Sequence, residues 1–103
     1  MKTSLAMDQL RERAGEAAAL LRTLGNPDRL LLLCELSQAE LCVSELAERT
    51  GIGQPSLSQQ LTVLREQGLV ATRRDGKRIH YSIADPRAVA MLKTLYRLYC
   101  AED

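Results

Sequence analysis

Three cysteines and one histidine are the residues of this 103-residue chain best suited to covalent or metal chemistry. Cys42 precedes Val43-Ser44-Glu45-Leu46. It therefore stands at the N-cap of a short predicted helix with Glu45 at the third position, a capping-box pattern with sulfur in place of the usual hydroxyl. The dipole and free N–H groups of a helix start favour a thiolate, which makes Cys42 the candidate attacking thiol. Cys100 closes the last predicted helix, near Tyr96 and Tyr99, and is the candidate second thiol. Cys34 sits inside the apolar run Leu30–Leu36 and is expected to be a small buried hydrophobe. His80 lies on a predicted strand and reads as a solvated or phosphate-facing residue. Three cysteines and one histidine could in number hold a tetrahedral zinc ion, but their spacing matches no structural zinc pattern. No histidine or acid pair is spaced to activate a catalytic nucleophile, which weighs against a thiol enzyme such as a small peroxidase or sulfurtransferase.

A second set of residues is suited to hydrogen bonding rather than to covalent chemistry. Gln54, Ser56, Ser58, Gln59 and Gln60 lie in a predicted helix that carries no charge from Gln54 to Leu64. An ordinary solvated helix face carries Glu and Lys. Amides and hydroxyls in their place are the groups that bond base edges in a DNA major groove. Directly after this helix come Arg73, Arg74, Lys77 and Arg78, with Asp75 the one acid among them. From Gly25 to Gly53 the balance is reversed, with two basic residues against five acids. The formal net charge of +1 thus hides a segregated distribution, with positive charge placed where phosphates would lie.

These residues need a scaffold, and the periodicity supplies one. A first helix is expected from about Asp8 to Leu24, alanine-rich on one side, with a flexible tail over residues 1–7. Asn26-Pro27-Asp28 opens a second helix to about Ser37, apolar nearly all round and so expected to be central and buried. A third, short helix over 43–50, the turn Gly51-Ile52-Gly53 and a fourth helix over about 54–67 form a helix-turn-helix. Residues 69–83 form a hairpin around Asp75-Gly76, and Pro86 starts a last helix to Cys100. The fold class is mainly α with a small β-hairpin, a single winged helix-turn-helix domain over 1–103 in the order α-α-α-α-β-β-α.

Length and composition agree with one globular domain: 46% apolar and 26% charged residues, no Trp or Phe. The longest apolar runs, such as Leu30–Cys34, are five residues, far short of the ~20 of a membrane span. The N-terminal stretch lacks the apolar block of a signal peptide. The expected location is the cytoplasm, with the thiols reduced at rest.

Taken together, Asn26-Pro27-Asp28-Arg29, Glu40-Leu41-Cys42-Val43-Ser44-Glu45-Leu46, Gln54-Pro55-Ser56-Leu57-Ser58-Gln59-Gln60-Leu61, Leu64-Arg65, Gly68-Leu69-Val70 and the Arg-Asp-Gly-Lys hairpin resemble the ArsR/SmtB winged-helix repressors. The resemblance spans about residues 10–100 and departs at Gln60, where many members carry His. It implies a homodimer built on the first and last helices, bound to double-stranded DNA at a palindromic operator. Metal-sensing patterns of the family are incomplete: Cys42-Val43-Ser44 has one thiol where the arsenic type has two, and the last helix has no His. No cofactor or metal is expected. The placement of Cys42 and Cys100 is similar to the sulfide- and persulfide-responsive branch (the BigR, SqrR and YgaV type, and HlyU-type regulators). That similarity implies a redox-sensing pair, Cys42 and Cys100, joined by an intrasubunit disulfide or polysulfide bridge, with reactive sulfur species as inducer. A metal- or metalloid-responsive repressor and a peroxide-responsive regulator are the alternatives.

Overall fold

Local signals set most of the element boundaries. The computed structural model describes the backbone of residues 2–100 and the side chains of residues 7–100. The elements run α1 (Lys2–Leu24), α2 (Pro27–Leu36), β1 (Leu41–Cys42), α3 (Val43–Thr50), α4 (Ser56–Glu66), β2 (Val70–Asp75), β3 (Arg78–Ile83) and α5 (Pro86–Tyr99). Asn26 caps α2 by accepting from the Arg29 N–H at 3.0 Å, and Pro27 occupies the first turn, where a missing N–H costs nothing. Asp85 caps α5 in the same way, accepting from the Arg87 N–H at 2.9 Å. Gly51 ends α3 and Gly68 follows α4, each at φ 76°, a left-handed conformation that a Cβ would strain.

α1 starts at Lys2, where a tail had been expected over residues 1–7. Lys2 to Met7 contains neither Gly nor Pro, so nothing in that stretch stops the helix from propagating toward the N-terminus. Among its described side chains, those of the last turns pack on the rest of the chain, through Leu20, Thr23 and Leu24, while residues 7–17 are exposed.

The core is nearly all leucine. Leu32 and Leu33 of α2, Leu46 of α3 and Leu57 and Leu64 of α4 are completely enclosed, with Leu41, Leu61, Leu69, Val70 and Ala88 closing around them. α2 is central, as expected, but it is not buried all round: Leu31 and Cys34 face solvent. The reason is helical phase. At 100° per residue, Leu32, Leu33 and Leu36 point inward, and positions 31 and 34 share the opposite side.

The sheet has three strands, not two, in the order β1-β3-β2, all antiparallel. The two-residue β1 pairs Leu41 with Tyr81 and Cys42 with His80. It thereby fastens the start of α3 to the inner strand of the hairpin. β2 and β3 pair from Val70–Ile83 out to Asp75–Arg78, leaving Gly76 (φ 65°) and Lys77 as the turn.

α3 is held at its start by the Glu45 carboxylate, which accepts from the Cys42 N–H at 2.9 Å. That bond is the main cause holding the Glu45 carboxyl below its ordinary value of 4.5. A depressed folded-state value means stability present above the unfolded value and lost as pH falls through the folded one. Glu45→Gln is therefore expected to give a shallower fall of Tm as pH is lowered through 4.5. Superimposable Tm-against-pH curves for the two proteins would show that the carboxylate holds nothing.

Candidate nucleic-acid interface and thiol groove

The helix-turn-helix is formed by α3 and α4, with Ile52 buried as the plug of the turn between them. Leu57, Leu61 and Leu64 fix the inner side of α4, which leaves Ser58, Gln59 and Thr62 outward and exposed. The polar residues of this helix divide into two groups. The Ser56 hydroxyl reaches the Asp28 carboxylate at 3.3 Å, and the Gln60 amide oxygen accepts from Arg29 at 2.9 Å. Both therefore turn toward α2. The Gln54 amide oxygen accepts from the Ser58 N–H at 3.1 Å and the Ser58 hydroxyl at 2.7 Å, so it caps the first turn of α4. Thr62 bonds back to the Ser58 carbonyl at 2.9 Å. Among the expected contacts on this helix, Gln59 alone is exposed with its side chain making no hydrogen bond to the described residues, and it presents both an amide donor and an acceptor.

Arg29, the last residue of the Asn26-Pro27-Asp28-Arg29 motif, has a role that the motif alone does not show. Its guanidinium donates to the Thr23 carbonyl at 2.6 Å, to the Arg22 carbonyl at 3.3 Å and to Gln60 at 2.9 Å. One side chain thus joins the end of α1 to the recognition helix α4. The signal available in the sequence was its place three residues after the cap Asn26.

The wing is the β2–β3 hairpin. Arg73 is committed within the fold: it grips Glu40 through two bonds of 2.7 and 3.0 Å. Those bonds hold the Glu40 carboxyl below its usual range and raise Arg73 in turn. Arg74, Lys77 and Arg78 are exposed and have no ion pair among the described residues. His80 is half-buried on β3, opposite Cys42 and Arg73, so it belongs to the base of the wing rather than to its tip.

Cys42 and Cys100 stand at the helix ends where they were expected, at the N-cap of α3 and the C-cap of α5, and Cys34 is the one placed differently. Cys42 is the buried one, 4% exposed, with its sulfur 3.3 Å from the Ser44 hydroxyl. Cys34, expected in the core, is exposed because it lies on the outward phase of α2. Cys100 is exposed at the C-cap of α5, its N–H bonded to the Tyr96 carbonyl at 2.8 Å. Between α2 and α5 runs a groove of about 700 Å³ lined in part by Cys34, Leu92, Lys93, Tyr96 and Arg97. Cys100 follows Tyr96 and Arg97 by one helical turn, on the same side of α5. Partial burial, then the charges of Cys100 and Glu35, push the Cys34 thiol above its ordinary value. The thiol that shares a groove with the end of α5 is thus Cys34.

Among the described residues, no group of three or more His, Cys, Asp or Glu is placed to hold a metal ion. No described helix is long and apolar enough to cross a membrane.

Residues 26–72 match the bacterial regulatory protein, arsR family. The chain is 46% identical over 99 residues to the biofilm growth-associated repressor of Xylella fastidiosa, covering 96% of this chain and 87% of that one. It is 37% identical over 94 residues to the transcriptional activator HlyU of Vibrio cholerae, covering 91% and 87%. The crystal structure of the transcriptional repressor BigR from Xylella fastidiosa superimposes with a TM-score of 0.88 at 47% identity, covering 93% of this chain and 98% of that one. Reduced HlyU from Vibrio cholerae superimposes with a TM-score of 0.84 at 38% identity, covering 90% and 98%.

Proposed function

This chain belongs to the ArsR family of bacterial transcriptional regulators, and from that premise we propose that it is a homodimeric, thiol-switched repressor that reads its operator through α4 and the wing. The observation that carries the DNA reading is the exposed, uncharged face of α4 centred on Gln59, next to the unpaired cations Arg74, Lys77 and Arg78. Gln59 supplies base readout. Gln54 and Ser58, tied to each other, set the start of the helix, and Ser56 and Gln60 anchor it to α2. Arg74, Lys77 and Arg78 hold phosphates, while Arg73 braces the wing on Glu40. A dimer would set two recognition helices on half-sites about 34 Å apart, one turn of DNA.

For the switch, Cys34 and Cys100 are the pair that the geometry favours. Cys34 lines the α2–α5 groove, Cys100 lies one helical turn beyond the groove residues Tyr96 and Arg97, and Cys42 is enclosed at β1. The inducer class is a compound bearing a sulfur–sulfur bond, whose two oxidising equivalents end in a Cys34–Cys100 bridge. A bridge between α2 and the end of α5 would act on the α1–α2–α4 junction that Arg29 holds.

The DNA reading is tested on an operator recovered by selection from random duplexes. Gln59→Ala is expected to weaken binding by about 1–3 kcal/mol and to relax base preference. Ser56→Ala should lower the thermal stability of the helix-turn-helix and leave base preference alone. Arg74→Ala, Lys77→Ala and Arg78→Ala should each weaken all sequences alike and reduce the salt slope by about one. Unchanged base preference in Gln59→Ala would remove α4 from base readout.

A further inference from the structure

The α2–α5 groove carries more than the Cys34 thiol. Its floor includes Val89 and Leu92, and its rim carries Lys93 and Arg97, one helical turn apart on α5. Neither cation has a carboxylate partner among the described residues. The one acid on the opposite wall, Glu35, is paired with Arg49 at 3.5 Å. The groove is therefore a half-open cleft with a cationic side, and its volume of about 700 Å³ is that of a small-molecule site. Hydroxyl and amide groups at one end, Ser37 and Gln38, complete a lining suited to a polar ligand with an apolar stem.

We propose that this groove docks a low-molecular-weight disulfide or persulfide that bears carboxylates, with Lys93 and Arg97 binding the carboxylates and Cys34 meeting the sulfur–sulfur bond. The proposal rests on the thiol-switch reading and adds the chemical class of inducer that the site selects. The attracting charges stand one to two turns of α5 before Cys100 and line the same groove as Cys34. A carboxylate held at the rim therefore leaves the rest of a small ligand lying along the groove toward the two thiols. Electrostatic guidance of this kind raises encounter rates of charged ligands by 10-fold or more and fades with salt.

Two disulfide reagents separate charge from reactivity. 5,5′-Dithiobis(2-nitrobenzoate) carries two carboxylates, and 4,4′-dithiodipyridine is neutral at neutral pH. With either, the Cys34 thiolate attacks one sulfur, a mixed disulfide forms and one aryl thiolate leaves with the bonding pair. The Cys100 thiolate then attacks the Cys34 sulfur, closes the bridge and expels the second aryl thiolate, each cysteine proton passing to solvent. The rate is followed at the Cys34 peptide by mass spectrometry in the intact chain. Lys93→Gln with Arg97→Gln is expected to slow the anionic reagent about 10-fold and the neutral one less than twofold, and high salt should reproduce the loss in the wild type. The charge-conserving pair Lys93→Arg with Arg97→Lys should retain the wild-type rates. If the two reagents lose rate equally, or neither does, the docking site is wrong while the thiol switch stands. If Cys34 reacts with neither reagent, both are wrong.

Discussion

Replacing Leu98 and Tyr99 together by acidic residues is expected to leave the chain folded and monomeric, with specific operator affinity lowered about 10³-fold or more. These side chains are 71% and 82% exposed in the single chain, too much apolar surface to leave in water at the end of a helix. α1 has the same feature, with Leu10 and Leu21 more than half exposed along a 23-residue helix whose described side chains pack by its last turns. A helix so placed draws little stability from its own chain, and a partner's α1 and α5 would supply the missing contacts. The loss of affinity follows from geometry rather than from any DNA contact. A dimer holds two half-sites, and one half-site alone returns binding toward the non-specific level, 10³-fold weaker or more. Sedimentation velocity and operator titration on the same samples check both halves. A dimer that persists in the double variant, or a monomer that binds like wild type, would defeat the assignment of this surface.

The parts of this molecule that were legible in its sequence are the parts set by neighbours in the chain. Asn26 and Asp85 announce helix starts within three residues, Gly51 and Gly68 announce stops, and Asp75-Gly76 announces a hairpin. The fourth helix came out two residues shorter at its start than expected, because Gln54 and Pro55 lie before it and cap it. β1 was not legible. Two residues cannot display an alternation, and Leu41-Cys42 becomes a strand only because β3, some forty residues later, lies beside it. The site divided in the same way. An uncharged face on α4 and a basic hairpin can be read by position. Which of those groups are free cannot, since Ser56, Gln60 and Arg73 are taken up by Asp28, Arg29 and Glu40, each about thirty residues away. The placement of Cys34 was within reach. Phase along α2 separates Leu31 and Cys34 from Leu32, Leu33 and Leu36, but an apolar run on every side hides that phase from a count of hydrophobic residues.

Cys34→Ser and Cys100→Ser are each expected to bind the operator like the reduced wild type and to lose its release on persulfide treatment. In the wild type, the Cys34 thiolate attacks the outer sulfur of a persulfide RSSH. A Cys34 persulfide forms and RS⁻ leaves. The Cys100 thiolate then attacks the Cys34 sulfur, the bridge closes and HS⁻ departs, so the sulfane sulfur is reduced as the two thiols are oxidised. Because partial burial and the neighbouring Cys100 and Glu35 raise the Cys34 pKa, less of it is thiolate at neutral pH than of an ordinary thiol. Its reaction should therefore keep accelerating as pH rises past 9.0, where an ordinary thiol levels off. Closing the bridge ties the exposed side of α2 to the end of α5, next to the surface assigned to the dimer. A coupling of about 1–3 kcal/mol between that bridge and the recognition helices is enough for a 5–150-fold change in affinity. Cys42→Ser separates this pairing from the one that the family resemblance implied. Its side chain is enclosed at the β1–α3 junction, so the variant should lose some thermal stability and still release the operator on treatment. Full release by Cys34→Ser, with none by Cys42→Ser, would instead return the switch to Cys42 and Cys100.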